Sequence, residues 1–426
     1  MSRAGRTKAR APLLAAIVLG LAFVLVVVLR TPWDVLPEPP GGGSPVDPTG
    51  GLAPEDVERA ESLAAALRPA SLISLALSLT ASGVLALTPL GARLVQFVGR
   101  PFGGRRTAQV LLGTAALVVV GRLVTLPFSA YGEMIRHRFG LSTRSWGLWV
   151  RDVLVSTGIS ALLTAVAVMS FLWLIRRAPR TWWAWSAATA AAFVVVGSFL
   201  YPLVIEPAFN RFESLPAGQL RTDLLDLAEE NGTPVEDVLV SDASRRTTAL
   251  NAYVSGFGST RRIVVYDTVI ERLPDDQIES IVAHELGHVA TDDVLTGTLM
   301  GAIGAAAGVS ALCWVLGSSR MLRRAGVESP ADPRVIPLVL FLAAVGTLLS
   351  TPAQNLVSRH VEARADVRAL DLTADPDAFI GMQRSLAATN LSDPDPPAAW
   401  HWFFGSHPTV SQRVTMARDW QRLAGP

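Results

Sequence analysis

The chain has 426 residues, half of them hydrophobic and 17% charged, whereas globular domains carry about a quarter charged, so a soluble globular enzyme is excluded. A formal net charge of +1 gives no electrostatic case for a nucleic-acid partner. Cys313 is the single cysteine, so no intrachain disulfide can form and cysteine usage does not fix the redox compartment.

In chain order, seven apolar stretches are predicted to cross a bilayer, which takes about twenty residues each. The first runs from Ala11 to Leu29, behind Arg3, Arg6, Lys8 and Arg10. It outlasts the apolar core of a signal peptide and has no small-x-small cleavage site before Arg30, so it reads as a retained anchor. Residues 31–54 are rich in Pro and Gly and are predicted to be an irregular loop. A short amphipathic helix, Glu55 to Leu67, leads into the second span, Ala70 to Val98. Spans three to five follow at Ala108 to Phe128, Val153 to Ile175 and Trp182 to Leu203, with Trp146, Trp149, Trp182, Trp183 and Trp185 at their ends, where indoles prefer the headgroup layer. Arg93 and Arg122 lie near or within spans and must snorkel to the headgroups or face a wet interior.

Tyr201 to Asp292 is the long soluble insertion and reads as α+β. Leu220, Leu224, Leu227 and Ala228 mark a helix that stops near Gly232; strands are predicted at Val238 to Val240, Ala252 to Val254 and Ile263 to Tyr266. A further helix follows, with Asp276 and Glu279 at capping-box spacing after Pro274. The sixth span is Val294 to Gly317. Its Gly297, Gly301, Gly304 and Gly308 suit close helix packing within the bundle, with a dimer interface as the alternative. The seventh, Val335 to Leu349, is short. Residues 352–426 are predicted to be mainly helical. Four segments result: a five-span membrane region over 1–203, a soluble half over 204–292, two spans over 293–351, and a second soluble half over 352–426.

Loop charge suggests an orientation. Arg100, Arg105 and Arg106, then Arg176, Arg177 and Arg180, then Arg320, Arg323 and Arg324 all fall on the side of the N-terminus, which the positive-inside rule makes cytoplasmic. The two soluble halves then lie outside the cytoplasm, although Arg136, Arg138 and Arg144 oppose this. Lys8 is the only lysine of an arginine-rich chain, a composition that suggests a bacterial source and hence the cell membrane.

The chemistry concentrates in His284-Glu285-Leu286-Gly287-His288. Residues four apart share a helix face, so His284 and His288 can grip one zinc ion, and Glu285 can reach a water beside it as general base. A hydrolytic zinc site has three protein ligands and one open position. Glu362 and Asp366, on the same side of the membrane two spans later, share a helix face, so that one can bind metal while the other supports it. Asp366 or Asp293 can accept the free N–H of a ligating histidine.

An ordered set of motifs then resembles the type I CAAX prenyl endopeptidases, the seven-span zinc proteases, and more distantly the HtpX-like membrane proteases. It comprises Ile205-Glu206-Pro207-Ala208-Phe209-Asn210-Arg211-Phe212, Asn251-Ala252-Tyr253 with Gly256, the HELGH run, Ser358-Arg359 with Glu362 and Ala365-Asp366, Ser406-His407-Pro408, and Arg413. The resemblance implies a mainly α-helical integral membrane protein with seven transmembrane helices and a split zincin-like α+β metalloprotease domain. It implies one zinc ion per chain on His284, His288 and Glu362, with Glu285 as base. It also implies that His407 and Arg413 donate to the oxyanion and that Asn251 and Tyr253, on an edge strand, bind substrate backbone. Ala249, Leu250 and Ala363 depart from the family pattern and bear on substrate preference. The expected partners are the lipid bilayer and a peptide or protein substrate, membrane-anchored or lipid-modified. The alternatives are an HtpX-like quality-control protease and a non-proteolytic receptor or transporter with a structural zinc.

Overall fold

The computed structural model describes residues 3–256 and 258–425. Inside a bilayer no water is available to backbone groups, so each apolar run satisfies its N–H and C=O groups within one helix. The first membrane region comprises α1 (Arg3–Arg30), α2 (Pro54–Leu87), α3 (Pro89–Gly99), α4 (Arg106–Arg138), α5 (Trp146–Arg177) and α6 (Trp182–Leu200). A soluble segment follows: β1 (Phe212–Ser214), α7 (Gln219–Glu230), β2 (Asp237–Ser241), β3 (Ala252–Ser255), β4 (Arg262–Tyr266), α8 (Asp267–Arg272) and α9 (Asp275–Ala290). The chain returns through the membrane in α10 (Asp293–Leu316), turns through α11 (Ser319–Arg324) and crosses back in α12 (Ile336–Thr373). It ends with α13 (Pro376–Asn390), α14 (Ala398–Phe404) and α15 (Val410–Ala424).

Among the described residues seven helices are long and apolar enough to cross a membrane: α1, α2, α4, α5, α6, α10 and α12. Leu14, Leu21, Leu29 and Leu349 on these helices stand more than half exposed, as lipid-facing residues do. α10 packs between α1 and α6. Its glycines explain part of that approach: a Cβ on Gly301 would lie 3.3 Å from Val194 of α6, and one on Gly304 would lie 3.5 Å from Phe23 of α1. The small-residue pattern thus serves contacts inside the bundle at these two positions.

Three boundaries differ from the sequence expectation. The amphipathic stretch before the second span is continuous with it, giving one 34-residue helix that runs through Pro69. That helix stops at Leu87 rather than at Val98, because extended Thr88 accepts the Leu90 N–H on its side chain and Pro89 starts a new helix. Arg93 consequently sits on α3 rather than within a span. The seventh span is not short: α12 continues without a break through Pro352 for 38 residues and leaves the membrane still helical. The expected segment boundary at 351 therefore falls inside one helix. The Asp276–Glu279 capping box is absent: Pro274 occupies the N-cap of α9, no side chain caps it, and Asp276 lies inside the first turn.

The soluble core lies between a four-stranded sheet and α7, α9, α13, α15 and the end of α12. The sheet order is β1-β2-β4-β3. β2 and β4 pair parallel in register Val238↔Ile263, and β3 pairs antiparallel with β4 through Tyr253↔Val264. β1, with three residues, is too short to show a pattern and was not expected. β3 pairs on one side alone and is an edge. The loop over 31–54 is irregular, as expected, but not loose. Ser44 N–H donates to Asp419 at 2.6 Å, Arg384 Nε to the Gly50 carbonyl at 3.0 Å, and Leu52 enters the core, so the loop crosses the C-terminal half as a strap.

Candidate metal centre

α9 and α12 bring the candidate residues together, and a glycine sets how closely they approach. A Cβ on Gly287 would lie 3.1 Å from the Arg368 Cβ and 3.2 Å from the Ala365 carbonyl oxygen, so any larger residue would push α12 away. One helical turn spaces His284 from His288 on α9 and Glu362 from Asp366 on α12. The two faces meet.

His284, His288 and Glu362 each offer a donor atom, and these atoms lie within 4.8 Å of one another. Glu362 Oε2 is 3.3 Å from His284 Nε2, and Glu362 Oε1 is 3.6 Å from His288 Nε2. Oε2 is nevertheless buried with no hydrogen-bond partner, a costly state for a carboxylate oxygen unless something else occupies its lone pairs. Two imidazole nitrogens and such a carboxylate are a donor set that fits a metal ion, zinc included.

Each imidazole is held from behind. His284 Nδ1 is 2.8 Å from Asp366 Oδ1, and His288 Nδ1 is 2.9 Å from Asp293 Oδ2. Both carboxylates are in turn bound by arginine. Arg413 reaches Asp366 through Nη2 and, at 2.8 Å, through Nε, while Arg364 Nη2 binds Asp293. Arg413 Nη2 also lies 3.3 Å from His284 Nδ1. The structure therefore places Arg413 behind the histidine, engaged with Asp366. Burial disfavours a proton on His284, but the hydrogen bond accepted by Asp366 and the nearby Glu362 carboxylate outweigh it and lift the imidazole to about 9. Metal binding must displace that proton. Burial raises the Glu285 pKa, opposed by the neighbouring imidazoles, and so favours a carboxyl that can take a proton and return it.

His407 stands at the open side, its Nε2 3.4 Å from Glu362 Oε2 and its side chain 58% exposed. Ser406 Oγ sits 2.9 Å from its Nδ1. Arg359 fixes the approach to this loop by donating to the carbonyls of His401 at 3.2 Å and Gly405 at 2.5 Å. Asn251 and Tyr253 lie beside and on β3, and both line the same cleft of about 630 Å3 as His284, Glu285, His288, His407 and Arg413. Glu206, Tyr266 and Gln383 line it too and are not among the residues the sequence marks for the site. Glu206 lies within the Ile205–Phe212 motif but carries no spacing signal. The other two are placed by tertiary packing alone.

The profile of Peptidase family M48 matches residues 214–421, and that of the CAAX prenyl protease N-terminal region, five membrane helices, matches residues 45–211. A Bacillus subtilis protein named uncharacterized metalloprotease YhfN is 33% identical over 303 residues, covering 71% of each chain. The CAAX prenyl protease 1 homolog of Arabidopsis thaliana is 29% identical over 307 residues, covering 70% of this chain and 71% of its own. The crystal structure of S. mikatae Ste24p superposes with a TM-score of 0.75 at 21% identity, covering 95% of this chain and 98% of that one. At that identity the likeness speaks for the fold.

Proposed function

The chain belongs to peptidase family M48, as an integral-membrane metalloendopeptidase acting on a peptide or protein substrate, and from that premise we propose how its residues divide the work. The metal is zinc, one ion per chain, held by His284, His288 and Glu362. The convergence of these donors within 4.8 Å carries the reading. Membership in the family sets aside the non-proteolytic receptor.

A zinc ion at this position supplies Lewis acidity, polarising the scissile carbonyl and lowering the pKa of a water. Asp366 and Asp293 fix the orientation of the two imidazoles by accepting from their Nδ1–H groups, which leaves each Nε2 unprotonated, its lone pair free for the metal. Glu285, next to His284, takes a proton from the attacking water and returns it to the leaving amine. His407, at the exposed side of Glu362, donates to the oxyanion. Arg413 acts through Asp366 as a positioning residue. The open edge of β3, with Asn251 and Tyr253, accepts the substrate as an added strand, so that backbone hydrogen bonds align the scissile bond. A membrane-anchored or lipid-modified peptide suits a cleft that opens beside the end of a membrane helix at Tyr201. The lysine-poor, arginine-rich composition favours a bacterial cell membrane, and the loop arginines favour the extracytoplasmic side for the catalytic halves.

Chelator treatment of the detergent-solubilised chain is expected to abolish peptide cleavage, with zinc restoring it. Glu285→Gln is expected to retain zinc at one equivalent while losing about 10²–10⁴-fold in kcat, the usual share of a general base. Cleavage at the normal rate by Glu285→Gln removes the assignment of the base. Incubation with a prenylated peptide and with an unfolded membrane protein separates a lipid-peptide protease from a quality-control one.

A further inference from the structure

Three carboxylates line the cleft: Glu206, Glu285 and Glu362. The last two have roles in the chemistry above. Glu206 has none, and its surroundings are unusual for a surface acid. α6 ends at Leu200, widens into one turn over Tyr201–Ile205, and then tightens into a short turn, Glu206–Ala208, at the cleft wall. There, among the described residues, the side chain that hydrogen-bonds the carboxylate is Tyr253, whose hydroxyl donates to Oε2 at 3.5 Å. Among the described residues no cation stands within ion-pair distance of Glu206. Two arginines approach this turn, but both are engaged elsewhere: Arg151 donates to the Ala208 carbonyl at 3.4 Å and pairs with Asp152, and Arg245 donates to the Phe209 carbonyl at 2.8 Å and pairs with Asp242. Arg413, the cleft's own arginine, is bound to Asp366. Burial raises the Glu206 pKa with no positive charge to oppose it, so the carboxylate gains from any cation that arrives.

The ring lining completes the picture. Tyr201, Phe209, Tyr253 and Tyr266 line the cleft together with Glu206, and Tyr253 touches it. Aromatic faces attract a cation and pack against the aliphatic stem that carries it. Tyr253 belongs to β3, the edge along which an extended peptide would lie, and alternate side chains of such a peptide fall on the Tyr253 side.

We propose that Glu206, together with the rings of Tyr201 and Tyr253, forms a subsite for a lysine or arginine side chain of the peptide substrate. The carboxylate accepts from the ammonium or guanidinium, the tyrosines flank the stem, and the Tyr253 hydroxyl keeps the carboxylate turned into the cleft. The proposal rests on the reading that this cleft hydrolyses peptides, and it adds the charge class that one substrate position should carry.

The test is a quenched-fluorescent peptide library, varied around one scissile bond and presented to the full-length chain in detergent. At one position Lys and Arg should be cleaved about tenfold faster in kcat/KM than their uncharged counterparts, and Glu206→Gln should reduce that ratio to about twofold or less, as expected for one charge-assisted hydrogen bond. Glu206→Lys should turn the preference toward Asp and Glu. A ratio measured within each variant cancels any general loss of activity or folding. No cation preference at any position of the wild-type protein, or its full retention in Glu206→Gln, overturns the subsite. If the wild-type chain cleaves no peptide at all, it is the hydrolytic reading that fails. Fluorescence anisotropy with Glu285→Gln then still reads the subsite, by comparing a labelled lysine peptide with its norleucine analogue, with and without Glu206→Gln. Equal affinities in that comparison overturn it as well.

Discussion

His284 and His288 stand one helical turn apart, and each turns its Nδ1 to an aspartate that is itself held by an arginine. Behind His284 are Asp366 and Arg413, with side chains 0% and 13% exposed. Behind His288 are Asp293 and Arg364, at 9% and 25%. The chemistry is the same and the environment is not. The first relay ties α9, α12 and α15 together in the core, and Gln383 adds its amide oxygen at 3.2 Å from Arg413 Nη2 when that group faces the guanidinium. In the second, Asp293 follows His288 by five residues at the start of α10, and Arg364 alone joins from a distant part of the chain, on α12. Water can replace a partner lost from the second relay but hardly from the first. Equal ligand geometry can therefore rest on unequal support: the inner relay belongs to the fold as much as to the site, the outer one to the site alone.

The sharpest way to break this contrast is Asp366→Asn. Removing the carboxylate that Arg413 binds leaves the charge of that largely buried guanidinium uncompensated, a loss of about 3–5 kcal/mol in stability. The same change should weaken zinc binding by about 10–100-fold, since His284 loses its orienting acceptor. Thermal unfolding of the metal-free chain and a zinc titration against a competing chelator measure the two effects separately. Unchanged unfolding would show that the inner relay contributes nothing to the fold. Arg413→Lys comes next. It keeps the charge but cannot reproduce the paired Nε and Nη2 contacts, so a loss of about 1.5–3 kcal/mol in stability is expected.

Asp293→Asn tests the outer relay in the same assays. Zinc affinity should fall by about tenfold, the lower end of what an orienting partner supplies. Unfolding of the metal-free chain should shift by no more than about 1 kcal/mol, because this pair is partly solvated. A stability loss equal to that of Asp366→Asn would erase the distinction between the two relays.

How far the sequence reached follows the same division between local and distant. The HELGH run was legible because helix period alone puts His284, Glu285 and His288 in place, and the seven apolar spans were legible because hydrocarbon leaves the backbone one solution. Glu362 and Asp366 could be read as neighbours on one face, yet their roles could not be separated until α9 fixed which of them meets Nε2 and which meets Nδ1. Arg413 carried no sign that its partner is Asp366, 47 residues away in the chain. The continuity of α12 was hidden because hydropathy falls near Pro352 while the helix does not, a proline being tolerated where neighbouring groups satisfy the freed carbonyl. The capping box misled because two acids at the right spacing sit two residues too far in, behind a proline that already opens the helix. Glu206 shows the same limit from the other side: its significance lies in the cations it lacks, and a sequence does not display missing partners.

The smallest effect expected is for Arg364→Lys, and it is informative for that reason. Arg364 reaches Asp293 from α12, one residue after Ala363, so its cation could matter either by holding Asp293 against His288 or merely by offsetting charge near a metal of the same sign. Lysine keeps the second function and loses the geometry of the first. Because the pair is partly exposed, water can take the place of the missing N–H, and the stability change should stay within about 1 kcal/mol. Zinc affinity separates the two functions: a fall approaching that of Asp293→Asn means that the guanidinium orients the aspartate, whereas an affinity close to that of the unaltered chain means that charge alone is required. The second outcome is expected, since Asp293 already has His288 within 2.9 Å and lies at the fixed start of a helix, so its position does not depend on the arginine.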